Sequence, residues 1–458
     1  MRLISAQQIP KGIQIVLIVS ASIVSVVAGI SYLIFDTPLS PLIFAGLILG
    51  ILSALAFVRL PILALYTALL VVLLPTGLFP AGIQSDLNRS LTIVALIVWG
   101  LYVIIRRRHI VWTTTGLFML GFLVWSLLTL LWAPDLEAAK NELGGYALRF
   151  VLFLFLIANE IKTRKTLDGL MGILAIAGWV FIVAGMSSLF SHGYEVGTRL
   201  QILEENENTL GGLFPVLLIG VIWLAMRLTY PRRLLWMFLA MAFLLLSFIL
   251  IAFSGSRGGA ISWFITILFL LFWRQTRFWG IVGLLILVAA VIVAPFVLST
   301  TLSRFTDTTG DTLLGGREAL WQAAWLLIRD HPLMGVGIGN APSAMMLYVR
   351  MFRSAWGRVG VSIHNPILTI LAETGVPGIL LYLGILVSAL WSCVRQYSRF
   401  RKLGVEWLIT YSALTASAFL GYFASWFKGG AMEQGHSYFL MVALLLIPSH
   451  LNINDTTP

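Results

Sequence analysis

FWGIVGLLILVAAVIVAPFVLS, Phe278 to Ser299, carries no charge over ~20 residues, the length one helix needs to cross a bilayer. Runs of this kind recur through the chain. Of its 458 residues 59% are apolar and only 11% charged, which excludes a string of soluble domains and reads as an all-α, polytopic transmembrane helix bundle. A hydropathy window of about 19 residues places spans near 13–35, 39–57, 60–80, 89–105, 114–132, 144–160, 167–190, 209–228, 233–253, 258–273, 277–298, 376–395, 405–427 and 436–449. The basic start MRLISAQQIPKG precedes about 23 apolar residues, too many for a signal-peptide core, so the first span is expected to be retained. The whole of 1–458 is expected to form a single integral membrane domain.

Charge placement sets the orientation. With a cytoplasmic N-terminus, the inner loops collect Arg106, Arg107, Arg108, Lys162, Arg164, Lys165, Arg232, Arg233, Arg274, Arg277, Arg395, Arg399, Arg401 and Lys402, as positively charged loops do. The other side takes most of the acids, including Asp135, Glu137, Glu142, Glu204, Glu205, Glu207, Asp307 and Asp311. This distribution puts the protein in the cytoplasmic membrane as a multi-pass protein. It also absorbs the net charge of +11 into short loops, so no basic face remains for nucleic acid.

Beyond Ser299 the apolar pattern stops until residue 376. The run 299–363 then faces outward as a long extracytoplasmic loop holding GREALWQAAWLLIRDHPLMGVGIGN (Gly316–Asn340) and the basic residues Arg350, Arg353 and Arg358. From Arg317 to Asp330, the residues Arg317, Trp321, Ala324 and Ile328 share one helical face, which predicts an amphipathic helix lying at the membrane surface. GVGIG has neither the third glycine nor the following helix of a dinucleotide fingerprint and reads as a turn-rich connection. Asn365 and Pro366 form a cap and first-turn pair, starting a helix that TGVPG breaks after about Glu373, too short to span a bilayer. That piece is either re-entrant or a surface helix leading into 376–395.

Few side chains here suit catalysis. Arg257, in SGSRGG directly after an apolar run, is held at the outer membrane face, where a guanidinium clamps a phosphate or simply anchors the span. Arg317 shares a face with Trp321 and has the same two readings; with Arg257 it could bracket a diphosphate. His364 precedes the Asn365 cap at the positive end of a helix dipole, which favours a neutral ring fit for a general base or for an ordinary interfacial hydrogen bond. His331 and His436 are rivals for that role. The stretch Glu205–Gly212 offers carboxylates to a cation but equally opens a span through Asn208 or Thr209. Arg350, Arg353 and Arg358 face headgroups or a second phosphate. A single cysteine, Cys393, and six scattered histidines give neither a disulfide framework nor a zinc site.

SRGG after a span, GREALW then HPLMGVGIGN in a long outer loop, and HNPILTILAETGVPG leading into the next span together resemble the O-antigen ligase and O-antigen polymerase superfamily, over residues 200 to 395. The resemblance implies a membrane glycosyltransferase of GT-C type with about 12 to 14 spans, needing no metal and no cofactor. It implies transfer of a glycan from an undecaprenyl diphosphate carrier to a glycolipid or glycan acceptor, on the outer face and with inversion. The ligase pattern of two arginines and a histidine falls on Arg257, Arg317 and His364. The ligases have about twelve spans, fewer than the fourteen read above. A polymerase, whose acceptor is itself lipid-linked, is the alternative. A bicarbonate or other solute transporter is the remote one, and spans nearly free of mid-depth charge argue against it.

Overall fold

The computed structural model describes residues 60–78, 83–192, 200–203, 209–228, 231–297, 317–352, 362–429 and 435–451. The expected spans 13–35 and 39–57, the part of the outer run from 299 to 316, and Arg353 and Arg358 lie outside the described residues. Among those described, no strand is present and the chain is an all-α polytopic bundle. In order, the helices are α1 (Pro61–Leu73), α2 (Ile83–Arg106), α3 (Thr114–Thr129), α4 (Leu136–Glu160), α5 (Arg164–His192), α6 (Thr209–Arg227) and α7 (Arg232–Ser254). They continue as α8 (Arg257–Phe272), α9 (Arg277–Val297), α10 (Arg317–Asp330), α11 (Ala341–Phe352), α12 (Pro366–Leu403), α13 (Glu406–Gly429) and α14 (Gly435–Leu446). Among the described helices, α2, α4, α5, α7, α12 and α13 are long and apolar enough to cross a membrane, and the shorter apolar α1, α3, α6, α8, α9 and α14 pack among them.

Between apolar helices in lipid, burial supplies little drive, so small residues and hydroxyls carry the association. The pairing of α8 with α13 follows that rule. Ser262 Oγ donates to the Gly421 carbonyl at 2.7 Å, and a side chain on Gly421 would collide with Ser262 and Thr266. At the far end of α8 Gln275 donates to Glu406 at 3.5 Å, so the two helices run antiparallel along their whole length. Following the chain from there, the basic clusters at Arg106–Arg108, Arg274–Arg277 and Arg395–Lys402, the last being the final turns of α12 rather than the expected loop, gather at one end of the bundle, while α2, α4, α8 and α12 all begin at the other.

The short helix expected at Pro366 is present and is joined to a long one. Helical backbone runs from Pro366 to Leu403, interrupted at Gly375 (φ 64°, ψ −167°). The break releases carbonyls that need donors inside an apolar bundle. The loop 332–340 supplies them: Val336 N–H donates to Ala372 O and Gly337 N–H to Glu373 O, both at 2.9 Å, while Val376 N–H donates back to Pro332 O at 3.1 Å. The Trp125 indole donates to Thr374 O at 2.7 Å. HPLMGVGIGN is therefore a docking strip for a broken helix. Gly335, Gly337 and Gly339 have φ of 65°, 95° and 73°, and side chains there would meet Glu373, Ala133 and Ala138 respectively.

The amphipathic helix α10 forms as expected, but protein rather than lipid covers much of its apolar face. Leu320, Ala323, Ala324, Leu327 and Ile328 are buried against Met345 and Val349 of α11, with Ile363 and Ala372. The sequence reading missed α11 altogether. Asn340 accepts from Ala344 N–H at 3.1 Å through its backbone carbonyl, and the same carbonyl accepts from Ser343 Oγ at 3.0 Å.

Candidate active site

Arg257 is positioned by a two-step turn. Gly255 ends α7 in the left-handed conformation (φ 60°), and Ser256 caps α8 by accepting from Gly259 N–H at 3.1 Å. Arg257 is thus the first residue of α8, where its guanidinium and the helix N-terminus add their positive potentials. The two glycines that follow serve packing: Gly259 lies against Gly211 of α6, and Gly258 has Ser425 of α13 as its neighbour. Close approach does occur at SRGG, and the approaching backbone is that of α6.

α10 connects the neighbourhood of Arg317 with that of His364. Arg317 is its first residue and half-buried. One turn on, the Trp321 indole donates to the Ile363 carbonyl at 3.2 Å, which fixes the start of α10 beside the peptide preceding His364. His364 itself is left-handed at φ 52°, a conformation that costs a non-glycine residue roughly 1–3 kcal/mol and that clusters at functional sites. Next to it, the Asn365 side chain accepts from Ile367 and Leu368 N–H at 3.0 and 3.2 Å, so the capping expected from Asn365–Pro366 is observed. His364 is half-buried at the N-terminus of α12. On the side of Arg257, α13 places Ser425 beside Gly258 of α8 and stacks Trp426 at 6.5 Å on Tyr382, in the long half of α12.

Of the rival histidines, His331 is exposed at the end of α10, and His436 lies inside the bundle with its ring 6.1 Å from Phe153. The end of α10 is tied to α11 by Tyr348 Oη donating to Asp330 at 2.6 Å, a bond that pushes the phenol pKa up. Arg350 is on the exposed side of α11. The acidic residues Glu205 and Glu207 lie outside the described residues.

One set of polar groups was missed. The sequence reading began the sixth span at 144 and left Glu142 in an outer loop, with the spans nearly free of charge. In the structure α4 begins at Leu136, because the Asp135 side chain accepts from Glu137 and Ala138 N–H at 3.1 and 3.0 Å. Glu142 and Arg149 therefore both lie within a helix long and apolar enough to cross a membrane, paired at 3.6 Å, and Arg149 is followed by a π-helical turn from Phe150 to Leu156. Ionisable groups at such depth are expensive and mark functional regions by default, as π-turns often do. Glu373, on the short half of α12, is also buried; its carboxylate accepts from Ala341 N–H at 3.4 Å.

Residues 242–383 match the family model described as O-antigen ligase. That segment contains Arg257, Arg317 and His364 together with the break in α12 and the strip that docks on it. No curated protein matches the chain.

Proposed function

For a chain that belongs to the O-antigen ligase-like superfamily through residues 242–383, we propose the activity of a membrane glycosyltransferase that moves a glycan from an undecaprenyl diphosphate carrier to a hydroxyl of a glycolipid or other acceptor. The observation that carries this reading is the junction of Arg317 and His364: the Trp321–Ile363 hydrogen bond seats a guanidinium-bearing helix against a strained histidine inside the matched segment.

The chemistry then needs only these side chains. The acceptor oxygen attacks the anomeric carbon from the face opposite the carrier, its proton passes to a ring nitrogen of His364, and the bond to the diphosphate oxygen breaks with inversion. The leaving diphosphate carries away the electron pair, and Arg257 and Arg317 neutralise it through planar, bidentate contacts. A leaving group so stabilised requires neither a metal ion nor a general acid. The site works from the outer face of the cytoplasmic membrane, the end of the bundle opposite the basic loops.

Purified protein supplied with lipid-linked oligosaccharide and a core glycolipid should form the glycolipid conjugate and release the carrier diphosphate. Growth of the lipid-linked chain with no glycolipid present would replace the ligase reading by that of a polymerase. Solute uptake into proteoliposomes without lipid-linked sugar would overturn both.

A further inference from the structure

A polar cavity walled by α2, α4 and α14 takes no part in the transfer step above. It holds about 260 Å³ and is lined by Asn88, Arg89, Asn141, Glu142, Arg149 and His436, among others. Arg149 and Glu142 meet only loosely at 3.6 Å, and Arg149 lies over the Tyr146 ring at 5.4 Å. Asn88 Oδ1, Glu142 Oε1, Arg149 Nε and Nη1, and His436 Nδ1 are buried with no hydrogen-bond partner among the described residues. Unmet groups of this kind are costly inside a bundle, so the cavity is built for a polar occupant.

The mixture of groups identifies the occupant's chemistry. A carboxylate oxygen and an amide oxygen seek donors, whereas the guanidinium offers only donors. A phosphate would satisfy Arg89 and Arg149 but be repelled by Glu142 and leave the Asn88 oxygen without a donor, and a metal cation would be repelled by both arginines. A hydroxyl both donates and accepts, and adjacent hydroxyls on a ring meet both demands at once. The volume, below the ~300–1,000 Å³ of pockets for drug-sized ligands, fits one ring rather than a chain of them. We infer that this cavity is a sugar-binding subsite that recognises one unit of the glycan, an inference that rests on the glycosyltransferase reading.

Its place in the fold gives it a defined reach. Gly339 of the docking strip lies against Glu142, and Asn340 exchanges hydrogen bonds with the backbone of Asp135 at 2.8 and 3.1 Å. The strip in turn is bonded to the far end of the short helical half of α12, whose other end carries His364. At ~1.5 Å of rise per residue that half is ~13 Å long. The ring held in the cavity is thus removed from the bond at which His364 acts, and the site selects the glycan rather than performing the reaction. The walls named here, α2, α4 and α14, lie outside residues 242–383, so selection and transfer are carried by different parts of the chain.

The test uses glycan freed from its lipid diphosphate by mild acid and titrated onto the purified full-length protein, followed by saturation-transfer NMR. The wild type should bind it. Asn88→Leu, and the double variant Glu142→Gln with Arg149→Gln, which removes both charges together, should each weaken binding about tenfold or more. Arg257→Lys should leave it unchanged, since no diphosphate is present. Gel filtration and Tm report folding, and Asn141→Leu, on the cavity wall, substitutes for any variant that fails them. Unchanged affinity in folded variants, no binding of the free glycan, or displacement by inorganic diphosphate alone would overturn the subsite. If the same preparation still transfers glycan, those outcomes leave the proposed function standing; glycan binding without transfer would remove the function and keep the site.

Discussion

His364 combines a left-handed backbone, a helix N-terminus and a neighbouring indole bonded to the preceding carbonyl. If the ring accepts the acceptor's proton, His364→Ala and His364→Gln should both slow transfer by about 10²- to 10⁴-fold while donor binding persists. Near-wild-type transfer by the glutamine variant, at matched expression, would make the ring a mere hydrogen-bonding anchor. Arg257→Lys and Arg317→Lys keep the charge but lose the planar fork, so each should yield a folded protein with poor turnover, and full activity of the double lysine variant would show that both are membrane anchors. In the sequence Arg257 is marked by the end of an apolar run and His364 by the Asn365–Pro366 pair that follows it; Arg149 carries no such mark. In NELGGYALRFVLFL it reads as lying near the start of a span, and its depth depends on where the helix begins. That is decided by the Asp135 cap, a feature that sequence hydropathy does not weigh.

Among the elements, the docking of 332–340 on the broken α12 is where local sequence and tertiary structure meet. The break itself could be read from TGVPG, as could the capped start at Asn365. Neither the pairing partner of the freed carbonyls nor α11 could be, because both depend on contacts between segments, and the cap of α11 belongs to an asparagine that also binds Asp135. Gly337 (φ 95°) and Gly375 (φ 64°) admit no side chain without strain and collision with Ala133 or Leu333. Gly375→Ala should lower Tm and, by loosening the strip, reduce transfer even though it touches no candidate catalytic group. An unchanged Tm would show that the strip tolerates displacement. At the end of α14, burial first and Lys162 second lower the His450 pKa to about 4 from its ordinary 6.5. The folded state therefore holds the ring neutral: its contribution is complete above pH 6.5 and is lost as pH falls toward 4. His450→Gln should flatten the fall of Tm across that interval, and an unchanged slope would assign the fall to other groups.

At the scale of the whole molecule, orientation decides whether the candidate site can meet its substrates. On the proposed reaction a lipid-linked glycan and a surface acceptor meet outside the cytoplasmic membrane, which requires Arg257, Arg317 and His364 to share that side. The fold already makes them share one end: α8 and α13 are antiparallel from Gly421 to Glu406, α12 enters from the same end as α8, and the clusters at Arg106–Arg108 and Arg395–Lys402 lie at the opposite end. Positive charge in short loops holds them on the cytoplasmic side during insertion. A reporter fused after Arg108 or Arg401 should accordingly report cytoplasm, and one inserted near Thr309 should report the exterior. The two ends are covalently committed to opposite sides, so one discordant reporter has a definite meaning. A cytoplasmic signal near Thr309, with Arg401 also cytoplasmic, would require an even number of crossings between Thr309 and Arg401, in conflict with the single crossing of α12, and would remove the transfer site from the compartment in which the proposed acceptor is found.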